Sequence, residues 1–135
     1  RSQNFTAVDD SLVLCRFTSE RGGYGMYLNE SYVRMINAAT GWDLDLQELE
    51  RIGERICSLE RAFNVREGIS RKDDTLPWRV QHEPIPDGPS KGDFCPPEEL
   101  DRMLDEYYEL RGWSKDGIPT PARLHALGLE FAIPA

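Results

Sequence analysis

Asp10-Ser11-Leu12-Val13-Leu14-Cys15 sets a carboxylate and a thiol five residues apart in an apolar stretch. A thiolate is a soft ligand, suited to zinc or to an iron–sulfur cluster, but one cysteine holds neither alone. The other two cysteines, Cys57 and Cys95, are far off in sequence and form no CxxC pattern. If Cys15 binds a metal, its partner ligands lie outside these 135 residues.

The remaining reactive residue types offer less. Cys57 flanks an apolar helical stripe and reads as core. Cys95 precedes a helix start, where a thiol pKa can fall, but no His or other base is near it in sequence. His82 and His125 are isolated from any cysteine and from each other. Gly88-Pro89-Ser90-Lys91-Gly92 lacks P-loop spacing and reads as a packed loop. Arg71-Lys72-Asp73-Asp74 reads as a salt-bridged turn that pins a loop.

Composition narrows the function classes. The 135 residues carry 24 acidic and 16 basic side chains, a formal charge of -8. That balance argues against nucleic-acid binding, which needs a basic footprint. No apolar run approaches the roughly 20 residues of a membrane span. Three widely spaced cysteines make no disulfide framework, which points to a reducing cytoplasmic home. Beginning at Arg1 with no start-of-domain pattern, the chain reads as part of something longer.

The elements that would position these residues are helices. Asp9 or Asp10 is placed to cap a short helix running through about Phe17. Arg21-Gly22-Gly23-Tyr24-Gly25 reads as a glycine-rich loop. Asn29 then caps a helix with Tyr32, Val33 and Ile36 on its apolar face and Gly41 as its stop. Asp45 and Glu48 form a capping box for the longest helix. Its stripe of Leu49, Ile52, Ile56, Leu59 and Phe63 is expected to be core, with Arg51, Arg55 and Arg61 on a solvated face. Val65 to Cys95 is a long proline- and glycine-rich passage, which suggests function or wrapping around another part of a larger protein. Pro96-Pro97 open a helix with Leu100, Met103, Leu104, Tyr107, Tyr108 and Leu110 on its apolar side. Gly112 ends it, and Thr120-Pro121 start a last helix through Leu127. The expected class is all-α: a single irregular helical domain over 1–135 with a long Pro/Gly-rich loop.

Several motifs together resemble a known family. Asn4-Phe5-Thr6-Ala7-Val8 followed by Asp10 to Cys15 is similar to the second Asp-x-x-Gly-Leu-Cys signature of tungsten-containing aldehyde ferredoxin oxidoreductases. Thr40-Gly41-Trp42-Asp43, Leu59-Glu60-Arg61-Ala62-Phe63-Asn64 and Arg71-Lys72-Asp73-Asp74-Thr75-Leu76-Pro77 follow in the family order. Leu104 to Trp113 and Gly117-Ile118-Pro119-Thr120 complete it. Val13 stands where the pattern usually has glycine.

The resemblance implies a C-terminal helical domain of an enzyme that oxidises an aldehyde to its carboxylic acid, with electrons passing through a [4Fe-4S] cluster to ferredoxin. It makes Cys15 one cluster thiolate, the other three lying in preceding domains. It makes Asp10 an acceptor for the amino groups of a pterin in the tungsten bis-pyranopterin cofactor, with the Leu14 backbone beside the same pterin. The segment alone is expected to bind no cofactor and catalyse nothing. Its partners would be the N-terminal domains of the same enzyme, while its charge of -8 makes it a poor docking face for an acidic ferredoxin. Two alternatives remain open: a cofactor-free helical interaction module, and a superfamily member catalysing a different reduction.

Overall fold

A computed structural model describes residues 1–15, 17 and 27–133. The described elements are α1 (Ser2–Ser11), α2 (Glu30–Thr40), α3 (Leu46–Arg66), α4 (Trp78–His82), α5 (Pro97–Arg111) and α6 (Pro121–Ala126). Short 3₁₀ turns at Arg71–Asp73 and Glu130–Ala132 complete them. Among the described residues the only β feature is an isolated bridge between Trp113 and Pro119. The class is all-α, as expected. The glycine-rich stretch Arg21–Gly25 lies outside the described residues.

Local chemistry sets most helix ends. The Asn29 side chain accepts from the Ser31 N–H at 2.9 Å, and Gly41 closes α2 at φ 75°. At the start of α3, Asp45 accepts from the Glu48 N–H at 2.7 Å while Glu48 accepts from the Asp45 N–H at 3.2 Å. This reciprocal box satisfies two donors that a helix start otherwise leaves open. Thr120 caps α6 through the Arg123 N–H. Between α2 and α3, Asn37 clamps the connection by donating to the Leu44 carbonyl and accepting its N–H.

The main core joins α1, α2 and the start of α3 through Phe5, Val8, Tyr32, Val33, Ile36 and Leu49. Phe5 meets Tyr32 edge-on, with ring centroids 5.9 Å apart. α1 lies so close to α3 that a Cβ on Gly53 would stand 2.4 Å from the Asn4 carbonyl oxygen. Glycine is the one residue that allows this approach. A smaller core gathers Leu124, Leu127 and Leu129 near the C-terminus.

Five expectations need correction. No helix starts at Asp9 or Asp10; both lie in the last turn of α1, which begins at Ser2 and stops at Ser11. The α3 stripe is core only at its start: Leu49 is buried and Ile52 partly so, but Leu59 and Phe63 are exposed. Cys57, at its flank, is half-buried. On α5, Leu110 faces solvent at 84% exposure while Tyr108 is buried. Arg61, assigned to a solvated face, is only 8% exposed. It crosses to the 65–95 passage, donating twice to Asp74 (2.8 and 2.5 Å) and once to the Gly117 carbonyl (2.7 Å).

Candidate functional site

The site is built on the end of α1. The Val13 N–H donates to the Asp10 carbonyl at 3.0 Å, and the Leu14 N–H to the Asp9 carbonyl at 3.1 Å. These nested bonds form a Schellman stop, in which the residue after the helix cap takes a left-handed conformation. That residue is Val13, at φ 57°. Val13 thus occupies a helix-stop position of the kind that glycine fills most easily. A β-branched valine there costs about 1–2 kcal/mol.

Asp9 anchors the stop. It is 1% exposed, and its carboxylate accepts the Tyr32 hydroxyl at 3.4 Å. Sequence reasoning weighed Asp9 only as a cap. The signal that could have found it is its spacing, four residues beyond Phe5 and one beyond Val8, on the core face of α1. Asp10 is exposed on the opposite side. A carboxylate in the last turn of a helix meets the negative end of the macrodipole and weakens the helix by a few tenths of a kcal/mol. With the cap role gone, Asp10 has no local stabilising reason to be acidic.

Asp10 lines a cleft of about 720 Å³ that runs between α1, α3 and α5. Gln3 and Thr6 share its wall on α1, and Cys57, Glu60 and Asn64 form the wall on α3. Its floor is a closed polar network. Tyr108 donates its hydroxyl to the same Asp74 carboxylate that Arg61 holds, and the Arg61 guanidinium lies 5.6 Å from the Trp113 ring centre. Burial acts to raise the Asp74 carboxyl, but hydrogen bonds from Arg61 and Tyr108 outweigh it and hold the pKa below the usual value. Burial, then Asp74, push the Tyr108 hydroxyl up to about 12. Arg61 is thus neutralised, which leaves Asp10 and Glu60 as the acidic groups of the cleft.

Past the stop, Leu12, Val13, Leu14 and Phe17 are exposed, and so is Cys15. Among the described residues no group of three His, Cys, Asp or Glu is gathered to hold a metal ion. Burial raises the Cys57 thiol pKa, and nearby Arg111 opposes this only in part. Cys95 is half-buried, and its N–H donates to the Val80 carbonyl. His82 stacks on Trp78 at 4.8 Å, and His125 faces Glu130. The N–H groups of Lys91 and Gly92 turn inward to the Gly88 and Ile85 carbonyls, so this loop is a closed turn and presents no phosphate cradle there. Arg71, at the head of the Arg71–Asp74 turn, binds Asp101 and Asp105 of α5.

The profile of the family described as aldehyde ferredoxin oxidoreductase, domains 2 and 3, matches residues 1–129. The chain belongs to that family. It is 44% identical over 129 residues to the tungsten-containing aldehyde ferredoxin oxidoreductase of Pyrococcus horikoshii, covering 95% of this chain and 20% of the relative. It is 33% identical over 129 residues to the aliphatic sulfonate oxidoreductase, WOR-like subunit, of Pyrococcus furiosus, covering 91% of this chain and 20% of that one. Among solved structures, it superposes on the active site complex BamBC of benzoyl coenzyme A reductase, in complex with 1,5-dienoyl-CoA. There the TM-score is 0.75 at 29% identity, covering 97% of this chain and 18% of the other. The chain thus spans about one-fifth of the length of the curated relatives it matches.

Proposed function

We propose that this chain is the C-terminal helical part, one domain over 1–135, of a tungsten-dependent aldehyde ferredoxin oxidoreductase. The whole enzyme would convert an aldehyde and water to a carboxylic acid, two protons and two electrons, with ferredoxin as acceptor and the cytoplasm as its compartment. When bound, the tungsten bis-pyranopterin and a [4Fe-4S] cluster supply the redox chemistry. The observation that carries the reading is the Schellman turn, which separates an exposed, structurally unneeded carboxylate from an exposed thiol by one tight reversal.

The residues fit these groups as one wall of a site. Asp10 would accept hydrogen bonds from the amino groups of a pterin, as an ionised carboxylate can only accept. The Leu14 backbone, fixed by its bond to Asp9, would lie beside the same ring system. Cys15 would give one thiolate to the cluster, the other three coming from preceding domains of the same polypeptide. Leu12, Val13 and Leu14 would exclude water from that thiolate, which tunes a cluster potential.

The test uses the full-length protein, produced anaerobically with tungsten. Cys15→Ala is expected to lower iron content and alter the electron paramagnetic resonance spectrum of the cluster. An unchanged [4Fe-4S] signal with full iron would reject the ligand role. Full-length protein holding neither tungsten nor iron would favour a cofactor-free module. The identities to the sulfonate oxidoreductase subunit and to the benzoyl coenzyme A reductase complex support one second reading, a family member with a different substrate. Turnover of aldehydes against sulfonates and thioesters by the same preparation separates the two.

A further inference from the structure

Two carboxylates follow one another at the end of α1, about 100° apart around the helix. Asp10 is exposed, whereas Asp9 is 1% exposed on the face that also carries Phe5 and Val8. A carboxyl group on a core face is costly to bury, and an apolar residue of similar volume there is often neutral or stabilising. What Asp9 does with its place is join two elements. Its side chain accepts the hydroxyl of Tyr32, which is also 1% exposed and sits in the first turn of α2. Its main-chain carbonyl accepts the N–H groups of Leu12 at 3.2 Å and Leu14 at 3.1 Å. Tyr32 is itself held in place. The Phe5 ring meets it edge-on, and its N–H donates to the carbonyl of Asn29, the residue that caps α2. One residue thus links a seated helix start to the turn from which Leu14 and Cys15 emerge.

We propose that Asp9 and Tyr32 are positioning residues for the cofactor wall. Through the Leu14 N–H they set the direction of the Leu14–Cys15 peptide, and with it the placement of the Cys15 thiolate. The inference rests on the reading of Cys15 as a cluster ligand and of Asp10 and Leu14 as pterin contacts. Asp10 binds; Asp9, one residue earlier, aims. A helix stop alone needs only its backbone bonds, so the tie from Asp9 to α2 adds direction and not termination. Groups that orient a ligand without touching the metal are worth about 10–100-fold in metal affinity. A looser turn also admits water to the thiolate. Water favours the reduced cluster, which carries one more negative charge, so loosening raises the reduction potential.

The experiment compares full-length wild type, Tyr32→Phe, Asp9→Asn and Val8→Ala, all prepared anaerobically. Three readouts are taken: iron release to a ferrous chelator, redox titration followed by electron paramagnetic resonance, and denaturant unfolding. Tyr32→Phe keeps the ring against Phe5 and removes only the hydroxyl. It should release iron about tenfold faster than wild type and shift the cluster midpoint potential upward, with its unfolding midpoint little changed. Asp9→Asn keeps an oxygen acceptor for the hydroxyl and should fall between the two. Val8, 2% exposed beside Asp9, supplies the control. Val8→Ala weakens the core without touching the tie, so it should lower the unfolding midpoint yet keep wild-type iron release and potential. Tyr32→Phe with wild-type iron release and potential would overturn the proposal. So would Val8→Ala moving both as far as Tyr32→Phe does, since the effect would then follow stability alone. A wild type that holds no cluster would instead reject the ligand reading of Cys15, and the inference with it.

Discussion

At the scale of the residue, Val13 and Asp10 both depart from what local stability favours. Val13 holds a left-handed backbone with its side chain 91% exposed, so no packing offsets its strain. Val13→Gly is expected to stabilise the chain by about 1 kcal/mol, less the extra entropy glycine gives the unfolded state. Chemical denaturation with an unchanged m-value checks this, and a loss of stability would contradict the strain assignment. Asp10 stands at the unfavourable end of α1, so Asp10→Asn should leave stability level or raise it by a few tenths of a kcal/mol. In full-length protein the same change should lower retained pterin, measured by fluorescence of the released oxidised pterin. Retention equal to wild type would remove Asp10 from the cofactor wall.

At the scale of the element, caps were the most legible part of the sequence. Asn29, Asp45 with Glu48, Pro97 with Gly112, and Thr120 all mark helix ends that the structure reproduces. Each depends on atoms within three or four residues, which a sequence displays directly. The end of α1 was misread because aspartate is a good N-cap, and nothing local shows that Asp9 is buried against Tyr32, 23 residues away. Arg61 was misread for the same reason: its partners Asp74 and Gly117 are 13 and 56 residues off. The motif itself was legible, but its role as a helix stop became visible only with the backbone. Gly53 tests how strictly α1 is seated. Gly53→Ala would press a methyl group into the Asn4 backbone, so a loss of about 2–3 kcal/mol is expected by thermal or denaturant unfolding. Helix propensity alone would predict a gain of nearly 1 kcal/mol, so the sign decides.

At the scale of the whole molecule, one carboxylate ties the distant parts together. Asp74 receives Arg61 from α3 and Tyr108 from α5, while Arg61 also holds the loop at Gly117. This network carries the floor of the cleft that Asp10 lines, so the seating of α5 against α3 depends on its charge state. The Asp74 pKa is lowered in the folded chain from a model-peptide value of 3.8. A lowered carboxyl pKa contributes stability that is complete above the unfolded value and is lost as pH falls through the folded one. Tyr108 works in the opposite direction. Its pKa is raised from 10.0 to about 12, so its contribution is complete below pH 10 and fades as pH climbs toward 12. Asp74→Asn should therefore cost about 3 kcal/mol near neutrality, because it strands a buried guanidinium. The gap to wild type should narrow only below about pH 4. Tyr108→Phe should be less costly at neutral pH, about 1–2 kcal/mol, and should flatten the alkaline limb between pH 10 and 12. Urea denaturation across pH 3 to 11.5 measures both limbs. An Asp74→Asn deficit that stayed constant down to pH 3 would show that the carboxylate's charge does not hold α3 and α5 together.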